Sequence, residues 1–417
     1  MKNFLDESEK LDEARALVAS MPLDEIDVSD WNIFQDNTVF AYFERLRQED
    51  PVHYHENTKV GKPYWSITKF SDIKFVDTHN ELFSSEPSIV LSATDAFEIP
   101  SFLNTDAPKH DDQRKVVAPI VSPTNLANLE PIIRQRAGDI LDGLPIGVEF
   151  DWVERVSIEL TSMMLASLMN FPQENRHKIV RWGDAFSLGI DGGQVLSDEQ
   201  RKAETQECFE YFLNLRNQRA QEAPSHDLVS MLAHGEATKD LQGVAFLANV
   251  MLLIIGGNDT TRNSISGSVL ALNTYQDQFE KLKNDHSLVK GLVPEIVRWQ
   301  TPLAHMMRVA TQDVQLGGKN ISKGDAVVMW YLSGNRDEEI FDNAHKLDIE
   351  RSNARQHVAF GYGIHRCLGN RLAEMQLRIL WEEILKRFSD IEVVGPAVRS
   401  KSSFIRGIQS LPVIVHK

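Results

Sequence analysis

Apolar and polar positions change their spacing several times along this chain, and the changes mark its elements. "DNTVFAYFERLRQED" (residues 36–50) carries apolar side chains at three- and four-residue steps and predicts an amphipathic helix. "PVHYHENTKVGKPYWSITKF" (51–70) predicts a two-stranded hairpin with a Gly-Lys turn. From about residue 107 to 300 the pattern is almost all helix, punctuated by Pro108, Pro119, Pro123 and Pro172, with an N-terminal cap in "SHDLVSMLA". The longest predicted helix runs from Asp240 to Leu272 and is apolar around most of its middle, which predicts burial. "LVPEIVRWQTP" ends a helix at Pro302, and Met306 to Leu332 reads as short strands separated by "LGGKN" and "SKGD". A last long helix spans Leu368 to Phe388, with Leu372, Met375 and Ile379 on one face, and "LPVIVHK" ends the chain as a strand. The expected fold is mainly α with small β-sheets. Residues 1–417 form one domain in this reading, with 1–35 a loosely packed N-terminal extension.

Composition narrows the function. The chain has 417 residues, a 42% hydrophobic fraction and a net charge of −16, an acidic balance that argues against nucleic acid as the main partner. The N-terminus "MKNFLDESEKLDEARALVAS" has the pattern of neither a signal nor a transit peptide. The longest apolar run, "VMLLII" (Val250 to Ile255), is far shorter than a membrane span. A cytoplasmic protein without a membrane anchor is expected. There are two cysteines. Cys208 lies in a helical pattern and reads as a small buried hydrophobe. Cys367 lies in "FGYGIHRCLG" (360–369), directly before the last long helix.

A cysteine in that position has a specific chemistry. The first amides of the helix, on Leu368, Gly369 and Asn370, lack intrahelical acceptors and can point at the sulfur, where the helix dipole also favours negative charge. Gly361 and Gly363 permit a tight turn, Gly369 permits close approach of a flat partner, and His365 can reach an anionic group beside the sulfur. Such a sulfur suits a metal ligand or a nucleophile with His365 as base. Zinc would want several Cys or His ligands at short spacing, and no second cysteine is near. A single axial thiolate to haem needs one sulfur and groups for two propionates. "IIGGNDTTRNS", inside the longest helix, poses a second question, because glycines, Asp and Thr are poor helix formers. Either Thr260 bonds back to a carbonyl one turn earlier and kinks the helix, or the helix opens there to admit oxygen.

The decapeptide resembles the haem-binding loop of the cytochrome P450 haem-thiolate monooxygenases at Phe360, Gly361, Gly363, His365, Cys367 and Gly369. The resemblance covers about residues 35–415 and is densest after 240. It implies a cytochrome P450 fold with haem b (iron protoporphyrin IX) between the long central helix and the cysteine-loop helix. Cys367 would be the iron ligand. Phe360, Gly361 and Gly256 would bind the cofactor, and His110, Arg114, Arg308 and His365 would hold its propionates. Glu295, Arg298 ("EIVR") and Arg351 ("LDIERSN") would form a structural brace. Gly256 and Gly257 would clear space over the metal, and Thr260 and Asp259 would act catalytically in proton delivery. The family segments that line the pocket fall on Ile89, Val90, Leu91, Phe97, Phe102, Phe186, Leu188, Leu253, Leu303, Ala304, Met306, Phe404 and Ile405.

The wording of "IIGGNDTTRNS", "RWQTPLAHMMR" and "WYLSGNRDEE" is similar to bacterial alkane and fatty-acid terminal hydroxylases. The implied reaction inserts one atom of O2 into a C–H bond at or near the methyl end of a linear medium-chain alkane or fatty acid. No flavin or nicotinamide fingerprint appears. Electrons are therefore expected from a ferredoxin and its NAD(P)H-dependent reductase, with Lys109, Lys115 and Arg366 as a basic docking patch. A bulkier terpene or steroid is the alternative substrate. A haem sensor or electron carrier without turnover is the alternative class.

Overall fold

The structure, a computed structural model, describes residues 4–92, 101–187 and 196–417. The helices in chain order are α1 (Ser8–Ser20), α2 (Trp31–Gln35), α3 (Val39–Glu49), α4 (Phe70–Thr78), α5 (Lys109–Val117), α6 (Pro123–Asp142), α7 (Glu159–Leu168) and α8 (Arg176–Ser187). They continue with α9 (Asp198–Arg219), α10 (Leu228–His234), α11 (Gly243–Thr274), α12 (Gln276–Asn284), α13 (Val289–Gln300), α14 (Tyr331–Gly334) and α15 (Asn370–Arg387). The strands are β1 (Val52–His55), β2 (Tyr64–Ile67), β3 (Phe83–Ser84), β4 (Phe150–Asp151), β5 (Met306–Ala310) and β6 (Val314–Leu316). After them come β7 (Lys319–Ile321), β8 (Ala326–Met329), β9 (Asp390–Val393), β10 (Val398–Arg399), β11 (Ile408–Ser410) and β12 (Pro412–His416).

Local chemistry sets the element ends. The cap in "SHDLVSMLA" is Asp227, whose side chain accepts from the Ser230 amide. α9 starts in a capping box between Ser197 and Gln200. α13 stops at Thr301, which adopts a left-handed φ of 41° directly before Pro302. β1 and β2 pair antiparallel from Val52↔Ile67 to His55↔Tyr64. They extend into one five-stranded sheet of order β1-β2-β8-β5-β3, in which β2 and β8 run parallel.

The main core joins α6 to α13 with α15 and strands β9 and β12, and α11 runs through it. By length and hydropathy α11 could cross a membrane. Here every residue from Thr261 to Asn273 is buried in the protein. A second core forms against the sheet and takes in Val18, Ile26, Val28, Phe34 and Trp330. This corrects the expectation of a loose N-terminal extension: from α1 onward that segment buries apolar side chains, and Arg15 of α1 pairs with Glu44 of α3 at 2.8 Å. A third core lies between α4 and the sheet. The cysteine loop sits where α4, β5 and α15 converge, facing α11 across a cavity.

Candidate active site

The loop from Phe360 to Gly369 is held as a closed turn. The Cys367 amide donates to the Phe360 carbonyl at 2.8 Å. Gly361 and Gly363 both take φ of +65°, a region an L side chain adopts only with strain. α15 begins at Asn370, two residues later than predicted. The amides of Gly369 and Asn370 bond the sulfur. The Cys367 side chain is open to the cavity; the protein packed around it nevertheless raises its thiol above its ordinary value by desolvation, while the Gly369 amide, Arg114, Arg366 and the Asn370 amide pull it down. The helix end reduces the cost of a thiolate there without cancelling it. A metal bound at the sulfur would supply the remainder, because a thiol ligand deprotonates on binding.

Three of the four predicted cationic or donor groups meet at the cavity wall beside Cys367: Arg114 of α5, Arg308 of β5 and His365. Arg114 donates to the Arg366 carbonyl, which ties α5 to the loop. Arg308 pairs with the buried Asp77 of α4 at 2.9 Å. His110 lies behind this wall and does not line the cavity. Its ring packs edge-on against His365 at 4.3 Å, and its Nδ1 meets Asp111 at 2.8 Å. Burial, with Arg308, His110 and Arg114 nearby, pushes His365 down to about 2, so its ring is neutral. Among the described residues neither ring nitrogen of His365 nor Nε2 of His110 has a hydrogen-bond partner, and all three atoms are buried. Buried polar atoms in that state call for a partner.

The opposite wall is α11. The helix is continuous through "GGNDTT" and does not open. The Thr260 hydroxyl donates to the Gly256 carbonyl one turn earlier at 3.0 Å, and Thr260 still faces the cavity with Gly256 and Gly257. A Cβ built at Gly256, or at Gly369 across the cavity, would meet no atom within 4 Å, whereas one at Gly257 would press on Leu165 at 3.2 Å. Asp259 is fully buried and turned away from the cavity lining. Its Oδ1 meets Arg262 at 3.1 Å and accepts from Asn258 at 3.2 Å. Arg262 also reaches Asp184 of α8 at 3.0 Å, a carboxylate that is 30% exposed. Burial raises Asp259 to about 6, opposed by Arg262. A carboxyl group poised there can exchange protons near neutral pH.

The expected pocket residues divide. Ile89, Phe102, Leu253, Leu303 and Met306 line the cavity, which encloses about 230 Å³. Val90, Phe404 and Ile405 pack behind them in a small apolar cluster. Leu91 and Ala304 belong to the core under the sheet, and Phe186 packs on the main core. These six are corrections: consecutive side chains of a strand, loop or helix point in different directions, so only part of each pocket segment faces the cavity, and Phe186 on α8 turns to the main core. Phe97 and Leu188 lie outside the described residues. Behind the loop, Glu295 bonds Arg298 at 2.7 Å and Arg351 at 3.1 Å, and Arg298 also donates to the Asn335 and Ala344 carbonyls, both at 2.7 Å. The sequence reading missed Asp77, Asp184 and Arg262. Arg262 had a signal, since it stands three residues after Asp259 on one helix. Asp77 and Asp184 come from distant elements and had none.

A family model described as Cytochrome P450 matches residues 198–401. The chain is 34% identical over 405 residues to linalool 8-monooxygenase of Pseudomonas putida, covering 93% of this chain and 98% of that protein. The chain belongs to the cytochrome P450 family. Steroid C26-monooxygenase of Mycolicibacterium smegmatis is 33% identical, with 87% of each chain covered. Among solved structures, cytochrome P450-153 from Novosphingobium aromaticivorans superposes with a TM-score of 0.87 at 39% identity, covering 93% of this chain and 99% of that one. CYP153D17 from Sphingomonas sp. PAMC 26605 gives 0.88 at 40% identity, covering 95% and 100%. The helix-rich P450 fold with small sheets is thus established, and with it a haem b monooxygenase. The residues present fit that cofactor: one sulfur, a cluster of unpaired buried donors for acid side chains, and glycines that leave room on both faces.

Proposed function

We propose that this P450 hydroxylates a linear medium-chain alkane or fatty acid at or near its methyl end. The observation that supports this reading is the separation of charge inside the cavity. Away from Cys367 the lining is mostly apolar and includes Ile89, Phe102, Leu252, Leu253, Leu303 and Met306, with the uncharged hydroxyl side chains of Thr260, Thr261 and Ser264 on α11. The two arginines that reach the cavity are both tied to the cysteine side, Arg114 through the Arg366 carbonyl and Arg308 through Asp77. A hydrocarbon chain is matched by such a wall, and a decorated substrate would find few groups to orient it. The resemblance of the "IIGGNDTTRNS" and "RWQTPLAHMMR" segments to terminal hydroxylases points the same way.

In this reading Cys367 ligates the iron, and Arg114, Arg308 and His365 hold the propionates, with His110 backing His365. Haem, when bound, supplies O2 activation through thiolate ligation. The chain's part is to exclude water with its apolar wall, to keep Gly256 and Gly257 clear, and to deliver protons. Arg262 holds Asp259 beside the partly exposed Asp184 and stays charged throughout, and Asp259 is the carboxyl that would pass a proton toward the Thr260 hydroxyl. Electrons come from a ferredoxin that docks on the cysteine side, where Lys109, Lys115 and Arg366 are exposed. Charge reversal at Lys115 and Arg366 should weaken ferredoxin-driven turnover, more so at low salt. Unchanged turnover removes that docking patch.

A second reading has its own support. Two relatives are named for oxidising linalool and the C26 position of steroids. A titration of the holoprotein with alkanes and fatty acids of graded length, beside linalool and a sterol, separates the two. The linear series should shift the haem spin state and give terminal alcohols. No shift with any linear chain, and a shift with the terpene or sterol, supports the second reading instead.

A further inference from the structure

Asp77 plays no part in the reaction described so far, yet it is the most heavily committed carboxylate beside the cysteine loop. It sits in the last turn of α4 with its side chain 1% exposed. Oδ1 accepts from Arg308 at 2.9 Å. Oδ2 accepts from the Tyr331 hydroxyl at 3.0 Å and from the Tyr362 amide at 2.6 Å. Tyr362 stands between Gly361 and Gly363, and both glycines are shaped by this carboxylate's surroundings. A Cβ at Gly361 would come within 3.1 Å of Oδ2, and one at Gly363 would run into the Asp77 main-chain carbonyl. Arg308 also donates to the Met307 carbonyl at 2.8 Å, and it lines the cavity.

We propose that Asp77 is a positioning residue of the haem site, which fixes the Arg308 guanidinium at the cavity wall, offsets its charge, and moors the Cys367 loop to α4 through the Tyr362 amide. One carboxylate thereby couples the geometry of the propionate clamp to that of the axial ligand. A buried carboxylate with three donors is held in place, and an arginine paired with it is held with it. The net field that Arg308 exerts at the cofactor edge is reduced by its partner, since the opposite charge lies within hydrogen-bond distance. The inference is independent of which substrate is oxidised. It does rest on Arg308 facing the haem's acid side chains.

The test uses the holoprotein and its Asp77→Asn, Arg308→Gln and Asp77→Asn/Arg308→Gln variants. Three quantities are read: the haem midpoint potential, the rate of haem loss to apomyoglobin, and hydrogen exchange at the Tyr362 amide. Removing a negative charge favours the electron-rich ferrous state, so Asp77→Asn should raise the potential. Arg308→Gln should lower it, and the double variant should return close to the parent. Tyr362 exchange should quicken about tenfold in Asp77→Asn, the loss of one hydrogen bond. Tyr331→Phe, which removes a donor and no charge, should leave the potential where it is. If Arg308→Gln changes neither potential nor haem loss, the clamp reading of Arg308 falls. If Arg308→Gln moves them and Asp77→Asn moves neither the potential nor Tyr362 exchange, the inference about Asp77 alone is overturned. Should Asp77→Asn fail to accumulate as holoprotein, the double variant decides. It should hold haem better than the single, because no unpaired guanidinium is left buried, and a double variant that does no better overturns the proposal.

Discussion

On the wall of the cavity that carries Cys367, charged groups are committed to partners. Arg308 is locked to Asp77, Arg114 to the loop backbone, and behind them Arg298 bonds Glu295 and the Asn335, Ala344 and Lys346 carbonyls. On the facing wall, α11 presents Gly256 and Gly257 with the hydroxyl side chains of Thr260, Thr261 and Ser264, of which Thr260 and Ser264 bond back to their own helix, and apolar side chains around them. Its one buried carboxylate, Asp259, is turned toward α8 and an exposed partner. The first wall is built to hold one cofactor in one position. The second is built to leave space and to connect with solvent through a single polar line. Fixed geometry needs paired charge and hydrogen bonds, whereas a hydrocarbon needs only shape.

Substitutions should therefore act differently on the two walls. The largest effect belongs to the brace: Arg298→Ala leaves the buried Glu295 with Arg351 as its remaining cation and strips the donor from the Asn335 and Ala344 carbonyls, and should cost about 3–5 kcal/mol. Urea unfolding and haem retention would measure it, and a stability near that of the parent would mean the brace is dispensable. On the facing wall, Asp259→Asn should leave the haem spectrum intact and slow product formation roughly 10²-fold, with a larger solvent isotope effect. Intact turnover would take Asp259 out of the proton path.

Asp259 also predicts a pH dependence of stability. Its folded value of about 6 lies above its ordinary 3.8. Between those values the folded chain binds more protons than the unfolded one, so stability falls as pH rises from about 4 to about 6. Asp259→Asn should flatten that slope, and an identical slope in both proteins would contradict the assignment. The smallest effects should come from the apolar lining. Leu253→Ala or Met306→Ala should shift chain-length preference by about tenfold or more, the value of a filled or empty methylene site, with little change in haem binding.

The contrast between the walls also explains what could be read from the sequence. The cysteine loop was legible because its chemistry is local: a sulfur, three glycines and a helix start lie within ten residues. Glu295 and Arg298 were legible for the same reason, being one turn apart. The pocket was legible only in part. Ile89, Leu303 and Met306 face the cavity while Val90, Ala304 and Ile405, their sequence neighbours or partners, face the core. Periodicity predicts that such side chains alternate, but not which set is turned inward. Asp77 and Asp184 were invisible because each acts on an arginine far away in sequence, 231 and 78 residues distant. Of the two readings of "GGNDTT", the opened helix is not seen: α11 is continuous, and the Thr260 hydroxyl bonds back to the Gly256 carbonyl as the other reading had it.

The central claim is that Cys367 ligates the haem iron as a thiolate. The carbon monoxide difference spectrum of the reduced holoprotein tests it most directly. The parent should show the red-shifted Soret band of thiolate ligation, and Cys367→Ser should lose both that band and product formation. A Cys367→Ser protein that keeps the band and still oxidises substrate would contradict the account.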